Sequence, residues 1–382
     1  MHRIVVVALL LFALPLLAQP VTIELDSKIM GEKRTLLVSL PASYETGEHK
    51  YPVLYMTDGA AQLPHTAATV EFLARNGRVP ELIVVGINNT DRSRDLTPTR
   101  VVGQTFDGRP YSFPTSGAAD RFLSFIESEV IPEIEKRYRT QPYRVFAGHS
   151  FGGLFALHAL FSKPQLFNAW IAVSPTLIWD HDYVERRART FVNETKELNA
   201  TLVFTLGDED AIKQQSERLK KLFERRKPKG FEVATFYFAD EDHGSVVLPS
   251  HYDALRRIFA PWRFTLPAGA DPRTLYAKAE AHYASVSKRA GYSMPIPEVL
   301  TNAIGYQLLG AGHHDQAIEV LRRNVEAYPH SANVYDSLGE ALEKSGKLEE
   351  ARASYERAWQ RGKETNDPNT PVFQANYERL NK

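Results

Sequence analysis

The stretch Arg144-Val-Phe-Ala-Gly-His-Ser-Phe-Gly-Gly-Leu-Phe-Ala-Leu157 decides how this chain is read. The apolar run from Arg144 to Ala147 predicts a strand, and Leu154 to Leu157 begins a helix. Between them Gly148, Gly152 and Gly153 surround Ser150. A G-x-S-x-G run carries meaning only in such a strand, turn, helix context, where the serine sits on a sharp, strained turn and its neighbours must be small. The helix that starts behind the serine offers its positive end, and the N–H of Phe151, to a developing oxyanion. Ser150 is therefore the candidate nucleophile.

A serine hydroxyl is a poor nucleophile without a base, and the base needs an orienting acid, so an acid and then a histidine should follow Ser150 in the chain. A predicted strand over Leu202 to Leu206 ends in Gly207-Asp208-Glu209-Asp210, and one over Phe231 to Phe238 ends in Ala239-Asp240-Glu241-Asp242-His243-Gly244. The C-terminal ends of sheet strands are where such enzymes place their sites. Twelve histidines are present. Of these, His243 is the candidate base, because it follows the motif and stands at a strand end; His149, inside the elbow, points the wrong way to serve its neighbour. Asp210, three residues past Gly207, is favoured as the acid, with Glu209 as the alternative. An earlier strand, Val53 to Met56, runs into Thr57-Asp58-Gly59-Ala60, where the N–H of Ala60 is the candidate second oxyanion donor. The competing reading of Asp58-Gly59 is a plain turn.

From Val21 to about Trp262, short β-branched or aromatic runs alternate with amphipathic stretches, the mark of an α/β sheet. Further strands are expected at Arg34 to Leu40, Glu81 to Ile87 and Ala169 to Ser174. Helices are expected at Thr66 to Asn76, Ala118 to Arg137, Gly153 to Phe161, Ala211 to Arg226 and Ser250 to Phe259. The stretch Asn88 to Gly117 shows no period and reads as a lid or pocket wall.

Past the linker Pro267-Ala-Gly-Ala-Asp-Pro272 the pattern becomes helical only. Gly305, Gly312 and Ala317 recur, displaced by 34 residues, as Gly339, Gly346 and Ala351. With Tyr335 and Tyr355 these positions fit tetratricopeptide-type hairpins, repeats running over about 298–331 and 332–365, with extra helices at Arg273 to Ser287 and near Phe373 to Leu380.

The chain opens with Met1-His2-Arg3, an apolar run to Leu17, then Ala18-Gln19-Pro20, the pattern of a secretory signal peptide cut after Ala18. An uncleaved anchor is the alternative. Residues 1–18 are then the leader, 19–265 the catalytic domain and 273–382 the helical domain, with no membrane span once the leader is removed. Basic and acidic residues balance at 46 each, which gives no reason to expect nucleic acid as a partner. Cysteine is absent, so no disulfide can form; a secreted or periplasmic bacterial location fits. There is no H-E-x-x-H, His313-His314 reads as solvated, and no phosphate-binding loop occurs, so no metal or cofactor is expected.

Together, Tyr51-Pro-Val-Leu-Tyr55 with Asp58-Gly59, Val84-Val-Gly-Ile87 with Arg92-Ser-Arg-Asp-Leu-Thr-Pro98, Gly148 to Gly153, Ser174-Pro175 with Trp179, and Asp242-His243 resemble the esterase D or enterochelin-esterase-type branch of the α/β hydrolases. The resemblance covers about Thr22 to Ala260. It implies an α/β-hydrolase three-layer sandwich with a mostly parallel central sheet, here followed by a small all-α helical-repeat domain. It also implies a Ser150, His243, Asp210 triad, oxyanion donors Ala60 and Phe151, and a pocket lined by Trp179 and Arg92. The activity expected is hydrolysis of a carboxylic ester outside the cytoplasm, of the siderophore-ester or acylated-sugar type. Acyl transfer on the same triad is one alternative. The other is a binding module that recruits a protein or peptide through the repeats.

Overall fold

The computed structural model describes residues 19–45, 49–106 and 109–380; the expected leader lies outside them. The chain divides into two compact units, Met1–Ile258 and Phe259–Lys382. In the first, the strands are β1 (Val21–Ser27), β2 (Glu32–Ser39), β3 (Tyr51–Met56), β4 (Ile83–Ile87), β5 (Val101–Phe106), β6 (Arg109–Phe113), β7 (Thr140–His149), β8 (Ala169–Val173), β9 (Thr201–Leu206) and β10 (Glu232–Tyr237). Eight of them form one sheet in the order β1-β2-β4-β3-β7-β8-β9-β10. Only the β1–β2 and β2–β4 pairs are antiparallel; the other ladders run parallel. Every residue of β3, β4, β8 and β9 is buried, as strands covered on both faces require, and their sequences are correspondingly apolar apart from Thr201 and Thr205 of β9.

This topology decides where a site can form. From β3 the chain moves to β4 on one side, then returns to β7 on the other, so the strand order reverses between β3 and β7. Open α/β sheets bind ligands in the crevice at the carboxyl ends of the strands flanking such a reversal. Those ends are Met56 and His149, which lead directly into the helices Gly59–Arg75 and Phe151–Ser162.

Some elements depart from expectation. The helix read over Ala118 to Arg137 is interrupted by a π-turn, Ile126–Val130, between Ala119–Phe125 and Ile131–Arg137. Pro132 has no N–H and its ring crowds the preceding turn, which a wider turn relieves. The stretch Asn88 to Gly117 is not shapeless: it holds the helix Arg92–Leu96, capped by the Asp91 carboxylate on Arg94 N–H, and the β5–β6 hairpin.

A buried ion pair fixes that short helix. Arg34 and Asp95 are both fully buried, with Arg34 Nη1 donating to Asp95 Oδ2 at 2.6 Å and Nη2 to the Asn88 carbonyl at 3.1 Å. The guanidinium also lies 5.2 Å from the ring of Phe122 and 5.4 Å from that of Phe125. Removing one member of a buried pair strands the other, so Arg34→Leu should cost about 3 kcal/mol in urea unfolding. That figure is the lower end of the usual range, because Arg94 Nε still donates to Asp95 Oδ1 at 2.7 Å. A loss well below 1 kcal/mol would mean that the pair does not hold the segment.

The second unit consists of helices. Glu298–Gly310 pairs with His314–Ala327, Ala332–Lys344 pairs with Leu348–Thr365, and Leu275–Ala290 and Thr370–Arg379 stand outside these hairpins. A Cβ on Gly305 would sit 2.7 Å from Leu321 Cδ2, and one on Gly339 would sit 2.7 Å from Tyr355 Cδ1. The helices of each hairpin therefore cross at a point where only glycine fits, and the crossings recur 34 residues apart in sequence. Among the described residues no helix is long and apolar enough to cross a membrane.

Candidate active site

Ser150 stands between β7 and the helix Phe151–Ser162 with φ 60° and ψ −114°, a strained conformation for a side-chain-bearing residue. Its N–H donates to the Val173 carbonyl at 3.0 Å, tying the elbow to the end of β8. A Cβ on Gly148 would fall 2.2 Å from the Gly152 carbonyl oxygen, and one on Gly152 would fall 2.3 Å from Thr57 Oγ1. The glycines of the motif are thus required by close approach: the elbow folds tightly on itself and against the residues that follow β3. Ala60 and Phe151 lie in the first turns of their helices, where N–H groups lack intrahelical acceptors.

His243 reaches the same place from the end of β10. Its ring centroid is 4.7 Å from that of His149, and its carbonyl accepts a hydrogen bond from His149 Nε2 at 2.7 Å. His149 serves as a strut for the loop carrying His243, a role that the sequence reading missed. Burial, reinforced by the neighbouring His243, pushes the His149 ring down to about 4, so it stays neutral and keeps its proton on Nε2.

The carboxylate that meets His243 is Glu209, not the favoured Asp210. His243 Nδ1 lies 2.5 Å from Glu209 Oε2. Asp210 is exposed and opens the helix Asp210–Arg225, so the strand-to-helix connection is one residue shorter than the expectation assumed. Glu209, just outside the helix, makes no capping bond to it and has the extra methylene needed to reach the imidazole. Burial alone would raise the Glu209 carboxyl, but hydrogen bonds from His243 and Ser174 outweigh it and hold the group below the usual range. Ser174, fully buried with φ 38°, is a second residue the sequence reading did not single out by its chemistry; the Ser174-Pro175 pair was its only signal.

Trp179 does not line an open pocket. It is fully buried, donates its indole N–H to Thr99 Oγ1 at 3.0 Å, and packs against Phe151 at 5.3 Å and Phe113 at 5.4 Å between ring centroids. An amphipathic indole with its N–H paired is better placed as a wall behind Phe151 than as a contact surface. Arg92, about a third exposed, does lie at the site, but its donors are turned onto Asp58 and the His149 carbonyl.

Behind the site His65 and His251 stack with ring centroids 5.7 Å apart. The Thr66 hydroxyl donates to the Gln62 carbonyl at 2.7 Å, so it can only accept from His251 Nδ1, 2.9 Å away, which leaves Nε2 of the buried His251 bare and without a partner. Burial, with His65 and His149 nearby, pushes His251 down to about 3. Folding therefore favours the neutral ring: the stabilisation is complete above the unfolded-state value near 6.5 and is lost as pH falls toward about 3. Between about pH 7.5 and about pH 5 this one group should cost about 2 kcal/mol. Urea titrations of His251→Phe should show that part of the acid sensitivity gone; an equally steep loss in the variant would contradict the assignment.

A mostly parallel sheet with a serine elbow at its reversal point, flanked by a histidine and a carboxylate from successive strand ends, defines an α/β hydrolase with serine ester chemistry. The family model described as "Putative esterase" matches residues 27–233, more than half of the chain, and the protein belongs to that esterase family of carboxylic ester hydrolases. It is 31% identical over 218 residues to the ferri-bacillibactin esterase BesA of Bacillus subtilis, covering 52% of this chain and 75% of that one. It is 35% identical over 185 residues to the siderophore triacetylfusarinine C esterase of Aspergillus fumigatus, covering 44% of this chain and 60% of that one. Among solved structures, an IroE-like serine hydrolase from Shewanella oneidensis superposes with a TM-score of 0.66 at 28% identity, over 81% of this chain and 98% of the other.

Proposed function

We propose that the protein hydrolyses the ester bonds of a siderophore outside the cytoplasm, by an acyl-enzyme route on Ser150, His243 and Glu209. The observation that carries the catalytic reading is the 2.5 Å contact of His243 Nδ1 with Glu209, at a histidine held beside the strained serine elbow by His149. In this reading Ser150 Oγ attacks the ester carbonyl while its proton passes to His243 Nε2. Glu209 accepts the hydrogen bond from Nδ1–H and stabilises the imidazolium. The N–H groups of Ala60 and Phe151 receive the oxyanion. His243 then returns the proton to the departing alkoxide, and a water, deprotonated by the same ring, releases the acid.

The siderophore class is supported by the two relatives that cleave such esters, and the extracytoplasmic location by the leader-like residues 1–18. In the same reading the hairpins of residues 298–365 are tetratricopeptide-type repeats. The test is turnover of a trilactone siderophore, iron-free and iron-loaded, followed by mass analysis of the products beside a short aryl ester. Linear and monomeric acids are expected. Hydrolysis of the aryl ester without any cut in the trilactone would remove the substrate class, and hydrolysis of neither would remove the catalytic reading.

A further inference from the structure

We infer that Arg92 is a positioning residue that holds the two oxyanion donors in register, and that it does not act as a ligand for substrate. The inference rests on the catalytic reading above and goes beyond it. Arg92 Nε donates to Asp58 Oδ1 at 2.7 Å, and Nη2 donates both to Asp58 Oδ2 at 3.2 Å and to the His149 carbonyl at 3.0 Å. Asp58 stands two residues before Ala60, and His149 stands two residues before Phe151. One planar cation thus grips the chain at the same offset from each donor. Its third contact is with a donor residue itself, because the guanidinium carbon lies 5.3 Å from the centre of the Phe151 ring.

The behaviour of Asp58 is the sign that this grip has a purpose. It is the N-cap of the helix Gly59–Arg75, where an aspartate ordinarily accepts a hydrogen bond from its own first turn. Here it makes no capping bond and adopts the left-handed region, with φ 56° and ψ 40°. Its carboxylate is turned outward to Arg92 and to Asn89 Nδ2, 2.5 Å from Oδ1. The helix gives up its side-chain cap: the N–H groups of Ala61 and Gln62 turn to the Asp58 carbonyl, at 3.0 Å each, and those of Gly59 and Ala60 are left for another acceptor. Charge-assisted bidentate pairing offsets the cost of the strained backbone. Asp58 Oδ2 would also lie only 3.4 Å from a Cβ on Gly152, so the two donor segments are in contact at the point Arg92 clamps. Arg92 is in turn carried by the helix that the buried Arg34–Asp95 pair fixes.

Oxyanion donors act only when held within about half an ångström of their place. A brace of this kind is therefore read in kcat. With a neutral short aryl ester, which offers no charge for an arginine to recognise, Arg92→Met should lower kcat by about 30-fold and change KM less than about threefold. Affinity for an aryl trifluoromethyl ketone, whose serine adduct carries the oxyanion, should fall by the same factor as kcat. Arg92→Lys, a point charge that cannot pair bidentately, should recover only part of the loss. Asp58→Asn should resemble Arg92→Met, and the double variant should be no worse than the poorer single one, since both remove one brace. A raised KM with unchanged kcat would overturn the inference in favour of substrate binding, as would additive losses in the double variant. If wild type hydrolyses no ester, the catalytic reading fails instead, and the two failures are distinct.

Discussion

Replacing Ser150 with alanine lowers kcat for ester hydrolysis by about a millionfold, the loss measured when the nucleophile of such a triad is removed. Stability should change by less than about 1 kcal/mol, because the serine side chain makes no capping bond to the helix it precedes. The strained φ of 60° is imposed by the glycines and by the N–H bond to Val173, and alanine meets the same backbone cost. His243→Ala should cost about as much, and the Ser150, His243 double variant hardly more, since neither residue acts without the other. Progress curves with a short aryl ester decide this: a residual rate within a hundredfold of wild type would place the nucleophile elsewhere.

The next largest effect separates two adjacent carboxylates. Glu209→Gln keeps the shape but removes the charge facing His243 Nδ1, so the imidazole is no longer held in the tautomer that takes the serine proton; kcat should fall by about 10⁴-fold. Asp210→Asn should change kcat by less than about threefold, because that side chain is exposed at the first position of its helix. The comparison is internal and does not depend on knowing the natural ester. A large loss in Asp210→Asn with a small one in Glu209→Gln would reverse the assignment.

The elbow was legible in the sequence because everything that makes it work is local: an apolar strand, three glycines at fixed offsets and an apolar helix. His243 was legible for a related reason, since it follows a strand end and a carboxylate run. The choice between Glu209 and Asp210 was not, because it turns on where a helix begins to within one residue and on the reach of one methylene, and neither leaves a mark in composition. Strand β1 and the helix Tyr183–Glu194 were missed although both carry a periodic signal. In β1, Ile23 is buried while its neighbours are more exposed, and the helix buries Val184, Ala188, Phe191 and Val192 at helical spacing. Their many charged and polar residues hid it. Trp179 was misread because a tryptophan beside a site looks the same in sequence whether it faces solvent or the core. The grip of Arg92 on Asp58 joins residues 34 positions apart through a buried ion pair from a third strand, and only the folded chain brings these together.

Covalent labelling tests the assignment of Ser150 as nucleophile most directly. Purified protein is incubated with a fluorophosphonate probe, digested, and the modified peptide located by mass. Stoichiometric label is expected on Ser150, lost in His243→Ala, much slowed in Glu209→Gln and unchanged in Asp210→Asn. Label on any other serine, or no label on folded protein, would contradict that assignment.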